Sequence, residues 1–136
     1  MAAGYSGTPL IKKLGILEST KVLLVAAPTQ YMQLLEVDIS SQLVHGNETP
    51  DLVHLFVKTE KEFVKEMQGL KKFCKANSNI VIWVSWYKKS AKIPTDVTEE
   101  TIRQYALSHD LVDVKVCAVS DIWSGLKLVV PVAKRI

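Results

Sequence analysis

Residues 52–86 read LVHLFVKTEKEFVKEMQGLKKFCKANSNIVIWVSW. The unbroken apolar run at 52–57 predicts a strand covered on both faces, central in a sheet. Thr59 follows, with Glu62 three residues on, the reciprocal pair of a capping box that starts a helix. Phe63, Met67, Leu70 and Cys74 then recur at helical spacing on one face, and charges fill the other. Asn77-Ser78-Asn79 breaks that helix, and a second apolar run at 80–86 predicts the next buried strand. Strand, helix and strand in this rhythm imply a right-handed parallel crossover and an α/β fold.

Toward the N-terminus, residues 22–27 form another apolar run, stopped by Pro28, and predict a further strand covered on both faces. Ahead of it, Thr8 as N-cap, Pro9 at the first helical position and Gly15 as terminator outline a helix of about seven residues. Leu10, Ile11 and Leu14 are its buried stripe. Residues 29–35 suit one or two helical turns, and 41–45 a short strand turned by Gly46-Asn47. Toward the C-terminus, a polar loop at 88–96 precedes a helix at 98–108. Val112, Val114, Val116 and Ala118 then alternate with Asp113, Lys115 and Cys117, which predicts a strand with one apolar face at or near a sheet edge. Trp123-Ser124-Gly125 is expected to turn the chain into a last strand at 126–130. The connection is too short for a crossover, so these two strands should pair antiparallel. The fold class expected is therefore a Rossmann-like three-layer α/β sandwich over residues 1–136, a single domain. Its sheet would be mostly parallel, of five or six strands, ending in an antiparallel hairpin.

The 136 residues are 48% apolar and 23% charged, a globular balance. No apolar run approaches the roughly 20 residues that cross a bilayer, which argues against a membrane span. Residues 1–8 show no basic segment followed by an apolar one, so no secretory signal is expected. Two cysteines are too few for a disulfide framework and read as buried thiols in a reducing cytoplasm. The net charge of +3 is spread out and interleaved with acids, as in Glu60-Lys61-Glu62. That is a solvated helix face rather than a stripe that tracks phosphates, and it argues against a nucleic-acid partner.

In open parallel sheets, ligands collect outside the carboxyl ends of the strands. Those ends gather Tyr31, Trp86, Lys88, Lys89, Ser90, Asp121, Trp123 and Ser124. Aromatic faces, ammonium groups and hydroxyls together would suit a small anionic or nucleotide-like molecule. The plainer alternative is that the two tryptophans pack in the core and the two lysines are solvated loop charges. The segment at 4–8 enters a helix, but it lacks the lysine and hydroxyl of a phosphate loop and reads as a lead-in. His54, within a strand, should hydrogen-bond inside the core; His109, at a helix C-terminus, suits the helix dipole. The cysteines, 74 and 117, have no ligand-type neighbours at metal spacing, so no metal is expected, and no serine sits in a nucleophile elbow.

The strand order resembles the later half of a Rossmann-like methyltransferase sheet, which ends in an antiparallel hairpin. The first strand, however, leads into Val25-Ala26-Ala27-Pro28-Thr29 with no glycine-rich turn. Neither a dinucleotide nor S-adenosylmethionine is therefore expected as a cofactor. Four stretches carry a family likeness: Gly4-Tyr5-Ser6-Gly7-Thr8-Pro9-Leu10, Lys13-Leu14-Gly15-Ile16, Ile82-Trp83-Val84-Ser85-Trp86-Tyr87-Lys88-Lys89 and Asp121-Ile122-Trp123-Ser124-Gly125-Leu126-Lys127-Leu128-Val129. With them the chain resembles small bacterial proteins grouped as domain of unknown function three thousand and fifty-two. Tyr87 stands where such relatives commonly carry proline. The resemblance implies a bacterial, cytoplasmic protein of no assigned activity and supplies no catalytic residues. The reading favoured on these grounds is a binding or regulatory module. The alternatives are an enzyme acting through Trp86, Lys88 and Asp121, or a homo-oligomeric interaction subunit using an edge strand or aromatic patch.

Overall fold

Val22–Val25 (β1), Leu52–Phe56 (β2), Val81–Tyr87 (β3), Val112–Ala118 (β4) and Trp123–Val129 (β5) form one sheet in the order β1-β2-β3-β5-β4. The computed structural model describes residues 7–135, so positions 4–6 of the glycine-bearing lead-in lie outside the described residues. β1, β2 and β3 pair in parallel, and β5 runs antiparallel to both β3 and β4. The expected antiparallel hairpin is present, but β5 is slotted between β3 and β4, so the sheet is mixed. Four strands still point one way, and their carboxyl ends share one edge.

Helices Leu10–Leu14 (α1) and Tyr31–Leu35 (α2) cover one face; Glu60–Ala76 (α3) and Glu99–Ser108 (α4) cover the other. On the α3/α4 face, Phe63, Met67, Leu70, Phe73, Ile102 and Ala106 pack on Val53, Leu55, Ile82, Val84, Leu126 and Leu128. On the opposite face, Leu14, Tyr31 and Leu35 pack with Leu52, Phe56, Trp83 and Trp123. Three layers result, with a core on each side of the sheet.

The strongest local signals appear as expected. Thr59 Oγ1 accepts from the Glu62 N–H at 3.1 Å, and Glu62 Oε1 accepts from the Thr59 N–H at 3.1 Å. Thr98 and Thr101 make the same reciprocal pair at the start of α4. Gly15 ends α1 at φ +80°, a conformation that costs glycine least. α1 itself is five residues, with Pro9 rather than Thr8 as N-cap. The Trp83 indole N–H donates to the Leu14 carbonyl at 3.0 Å and so pins α1 to the sheet.

Three expectations need correction. Residues 41–45 are not a strand: Ser40–Gln42 is a 3-10 turn, and Leu43 makes a single bridge to Val22. Asp38 accepts from the Ser40 N–H at 2.9 Å, which curls the chain before it can extend. β1 is an edge strand, half-buried after Val22, and is covered on both faces as its apolar run implied: Leu23 and Val25 pack against the α3/α4 core, Val22 and Leu24 against the α1/α2 core. In β4, a bulge between Asp113 and Lys115 breaks the alternation, and Val114 and Val116 lie exposed. Finally, Trp123-Ser124-Gly125 is not a turn but the start of β5. Ser120 Oγ accepts from the N–H groups of Ile122 and Trp123, both at 3.2 Å, and so completes the reversal earlier. Gly125 within that stretch is required by close approach: a Cβ there would lie 3.0 Å from Val119 Cγ2 and 3.3 Å from Trp83 Cε3.

Candidate functional site

At the shared carboxyl edge, Trp86 pairs in register with Ser124 and Tyr87 with Trp123. The Lys88 N–H donates to the Ile122 carbonyl at 2.9 Å, which ties the loop leaving β3 to the turn entering β5. Both connections therefore emerge on one side of the sheet. A cavity of about 710 Å³ opens there, lined by Trp86, Lys88, Lys89, Ser90 and Ser124 among others.

Three of the residues expected at this rim are not part of the cavity. Trp123 is 5% exposed, stacked on Tyr87 at 4.2 Å and edge-on to Phe56 at 5.0 Å. Successive strand residues face opposite ways, so Ser124 reaches the cavity and Trp123 faces the α1/α2 core. Tyr31 begins α2 on that same far face and is buried against His54. Asp121 is exposed in the turn before β5, outside the lining. Trp86, although it lines the cavity, is only 7% exposed and offers little stacking surface.

The sequence reading missed the opposite wall, formed by Thr95, Thr98, Glu99, Glu100 and Arg103. A usable signal was present: α4 follows the loop that leaves β3, so its first turn must return over the same strand end. Arg103 donates to Glu99, to Glu100 at 3.1 Å and to Asp113 at 3.1 Å. These acceptors push its already high pKa higher, with Glu99 and Asp113 foremost. The Gln104 amide and Arg103 hold Glu100 below the usual carboxylate range. Three of its five N–H donors are engaged in this way. The helix starts at this edge are likewise occupied, α3 and α4 each by its own capping pair. Asp96 also accepts from the Glu60 N–H at 2.7 Å, and the Thr95 hydroxyl donates to the Lys58 carbonyl at 2.7 Å. Lys88 and Lys89 bring positive charge to the lining. Glu99 and Glu100 supply acceptors across from them.

His54 behaves as the core residue that its strand position implied. Its Nδ1 lies 2.8 Å from the Tyr31 hydroxyl and its Nε2 2.7 Å from Ser85 Oγ. One ring nitrogen accepts while the other donates, so a neutral imidazole satisfies both neighbours. Complete burial pushes His54 down to about 3 and raises the Tyr31 phenol. Tyr31, His54 and Ser85 are all buried, which makes this chain a device of the core. His109 caps α4, and its Nδ1–H donates to the Tyr105 carbonyl at 2.8 Å. Burial raises the pKa of both Cys74 and Cys117, which keeps each as a thiol rather than a nucleophilic thiolate. Among the described residues, no three His, Cys, Asp or Glu side chains group as a metal site would require. No helix there is long and apolar enough to cross a membrane.

No family model and no curated protein matches the chain. Solved structures do. A protein of the NADB-Rossmann superfamily from Streptococcus agalactiae superposes with a TM-score of 0.54 at 8% identity, over 93% of this chain and 69% of that one. An uncharacterised protein from Listeria monocytogenes serotype 4b superposes with a TM-score of 0.59 at 7% identity, over 95% and 70%. At these identities the likeness establishes architecture: the chain has a Rossmann-like α/β fold with a mixed five-stranded sheet.

Proposed function

We propose that this protein is a small-molecule binding module whose strand-end cavity takes a hydroxylated anion of the nucleotide or sugar-phosphate class. One observation carries the reading: Lys88, Lys89, Ser90 and Ser124 converge on the same cavity as Glu99 and Glu100. The two ammonium groups suit a phosphate, and carboxylates opposite them suit ligand hydroxyls, which donate. The volume of about 710 Å³ is that of a ligand site, and its position at the strand carboxyl ends is where α/β sheets place one. On this reading the chain is a bacterial, cytoplasmic relative of the unassigned family it resembles, and recognition rather than chemistry is its task.

Isothermal titration with adenosine monophosphate and ribose 5-phosphate tests this. Both should bind the wild type, and Lys88→Ala with Lys89→Ala should weaken binding about 10- to 100-fold, as loss of charged hydrogen bonds does. Lys89 is exposed and Lys88 half-buried, so Lys89→Ala alone should leave the melting temperature nearly unchanged and still weaken binding. Unchanged affinity in the double variant, or no heat with either compound, overturns the proposal.

A further inference from the structure

At the other end of the sheet a second cavity, of about 520 Å³, opens between the C-terminal halves of α3 and α4. It lies beside Ile82 and Val130, where β3 begins and β5 ends, far along the strands from the Lys88 rim. Its base is apolar and buried: Met67, Leu70, Ile82, Leu111 and Val130. A closed apolar base with a few polar groups, at this volume, is the usual make-up of a small-molecule site.

Two features give the cavity a chemical preference. The first is charge. Lys71, Lys75 and Lys134 line it with Asp110 as the one acid, and Asp110 is already paired with Lys134. Lys71 and Lys75 sit four residues apart on α3, so they project side by side. The second is the hydroxyl of Tyr105, a residue of the same lining. It is a buried polar atom with no protein hydrogen-bond partner among the described residues. Such a group is costly to leave unpaired, and a ligand oxygen that met it would recover the loss. The ring is fixed in place, edge-on to Phe63 at 5.1 Å and stacked on His109 at 3.8 Å.

We infer that this cavity binds a small amphipathic carboxylate: an apolar body in the base, its anionic head at Lys71 and Lys75, and one further oxygen on the body reached by Tyr105. The inference stands apart from the strand-end reading, since the two cavities share no residues and this one has an apolar base.

4-Hydroxyphenylacetate and phenylacetate are suitable probes, because they differ only in that second oxygen. Titration should show the hydroxylated compound binding more tightly. Tyr105→Phe should weaken it about 3- to 10-fold, the worth of one hydrogen bond, and leave phenylacetate unaffected. Lys71→Gln with Lys75→Gln should weaken both. Cys74 lines the cavity and Cys117 does not, so saturating ligand should slow iodoacetamide alkylation of Cys74 alone, read by mass spectrometry. The Tyr105→Phe protein should melt no lower than wild type, since the hydroxyl it loses is unpaired. Absence of binding, equal effects of Tyr105→Phe on the two probes, indifference to the lysine pair, protection of both cysteines, or a clearly lower melting temperature for Tyr105→Phe would each overturn the inference.

Discussion

Mild acid should unfold this protein through His54. In the folded state, burial holds the imidazole down to about 3, whereas an unfolded chain presents it at 6.5. A depressed folded pKa means that the contribution is fully present above pH 6.5 and is lost as pH falls toward 3, because only the unfolded chain takes up the proton. The loss follows the gap between pH and 6.5: about 2 kcal/mol at pH 5 and roughly 5 kcal/mol once pH 3 is reached. Asp38, Glu100 and Asp110 are held below their ordinary values by hydrogen bonds, so their contributions too are lost as pH falls, chiefly below about pH 5, and they are common to the wild type and a His54 variant. Urea denaturation at pH 7 and pH 5 is the assay. With an m-value of about 1–3 kcal/mol per M, the wild-type midpoint should fall by roughly 1 M. His54→Gln should start less stable, having lost a fitted ring, but should lose far less between the two pH values. His45 and His109 are common to both proteins and cancel in the comparison. Equal losses in wild type and His54→Gln would refute the account of a neutral, buried imidazole.

Two further substitutions probe the packing around β5. Gly125→Ala should destabilise by about 1–3 kcal/mol, because the added methyl meets Val119 and Trp83, both packed in the core; a wild-type melting temperature would show that these neighbours yield freely. Trp123→Ala should cost about 3–5 kcal/mol through loss of a buried aromatic that Tyr87 and Phe56 flank, and a near-neutral thermal shift would place the indole at the surface.

Sequence was most legible where local and tertiary demands agree. Thr59 with Glu62 and the stripe beginning at Phe63 specify α3 almost unaided, and the runs at 52–57 and 80–86 have no polar face that a surface strand would show. It was least legible where side chains satisfy the backbone locally. Asp38 and Ser120 each capture nearby N–H groups, and each moved an element boundary that apolar patterning alone set elsewhere. The rim was half legible. Chain order placed Trp86, Lys88, Lys89, Ser90 and Ser124 together, but strand alternation, which sends Trp123 to the opposite core, was not applied there. The wall carrying Glu99, Glu100 and Arg103 escaped because its residues read as an ordinary charged helix face. Chain order brings them back over the end of β3, and the ion pairs of Arg103 with Glu99, Glu100 and Asp113 hold them there.

The position of β5 also bears on how the protein is made. Of the five strands it is the last to be synthesised, yet it lies inside the sheet, between β3 and β4. Until Val129 has cleared the exit tunnel, the hydrogen-bonding groups of β3 on one side and β4 on the other have no neighbour to meet. Over that interval the nascent chain carries unpaired edges on β3 and β4, the kind of surface that chaperones recognise and that aggregates in their absence.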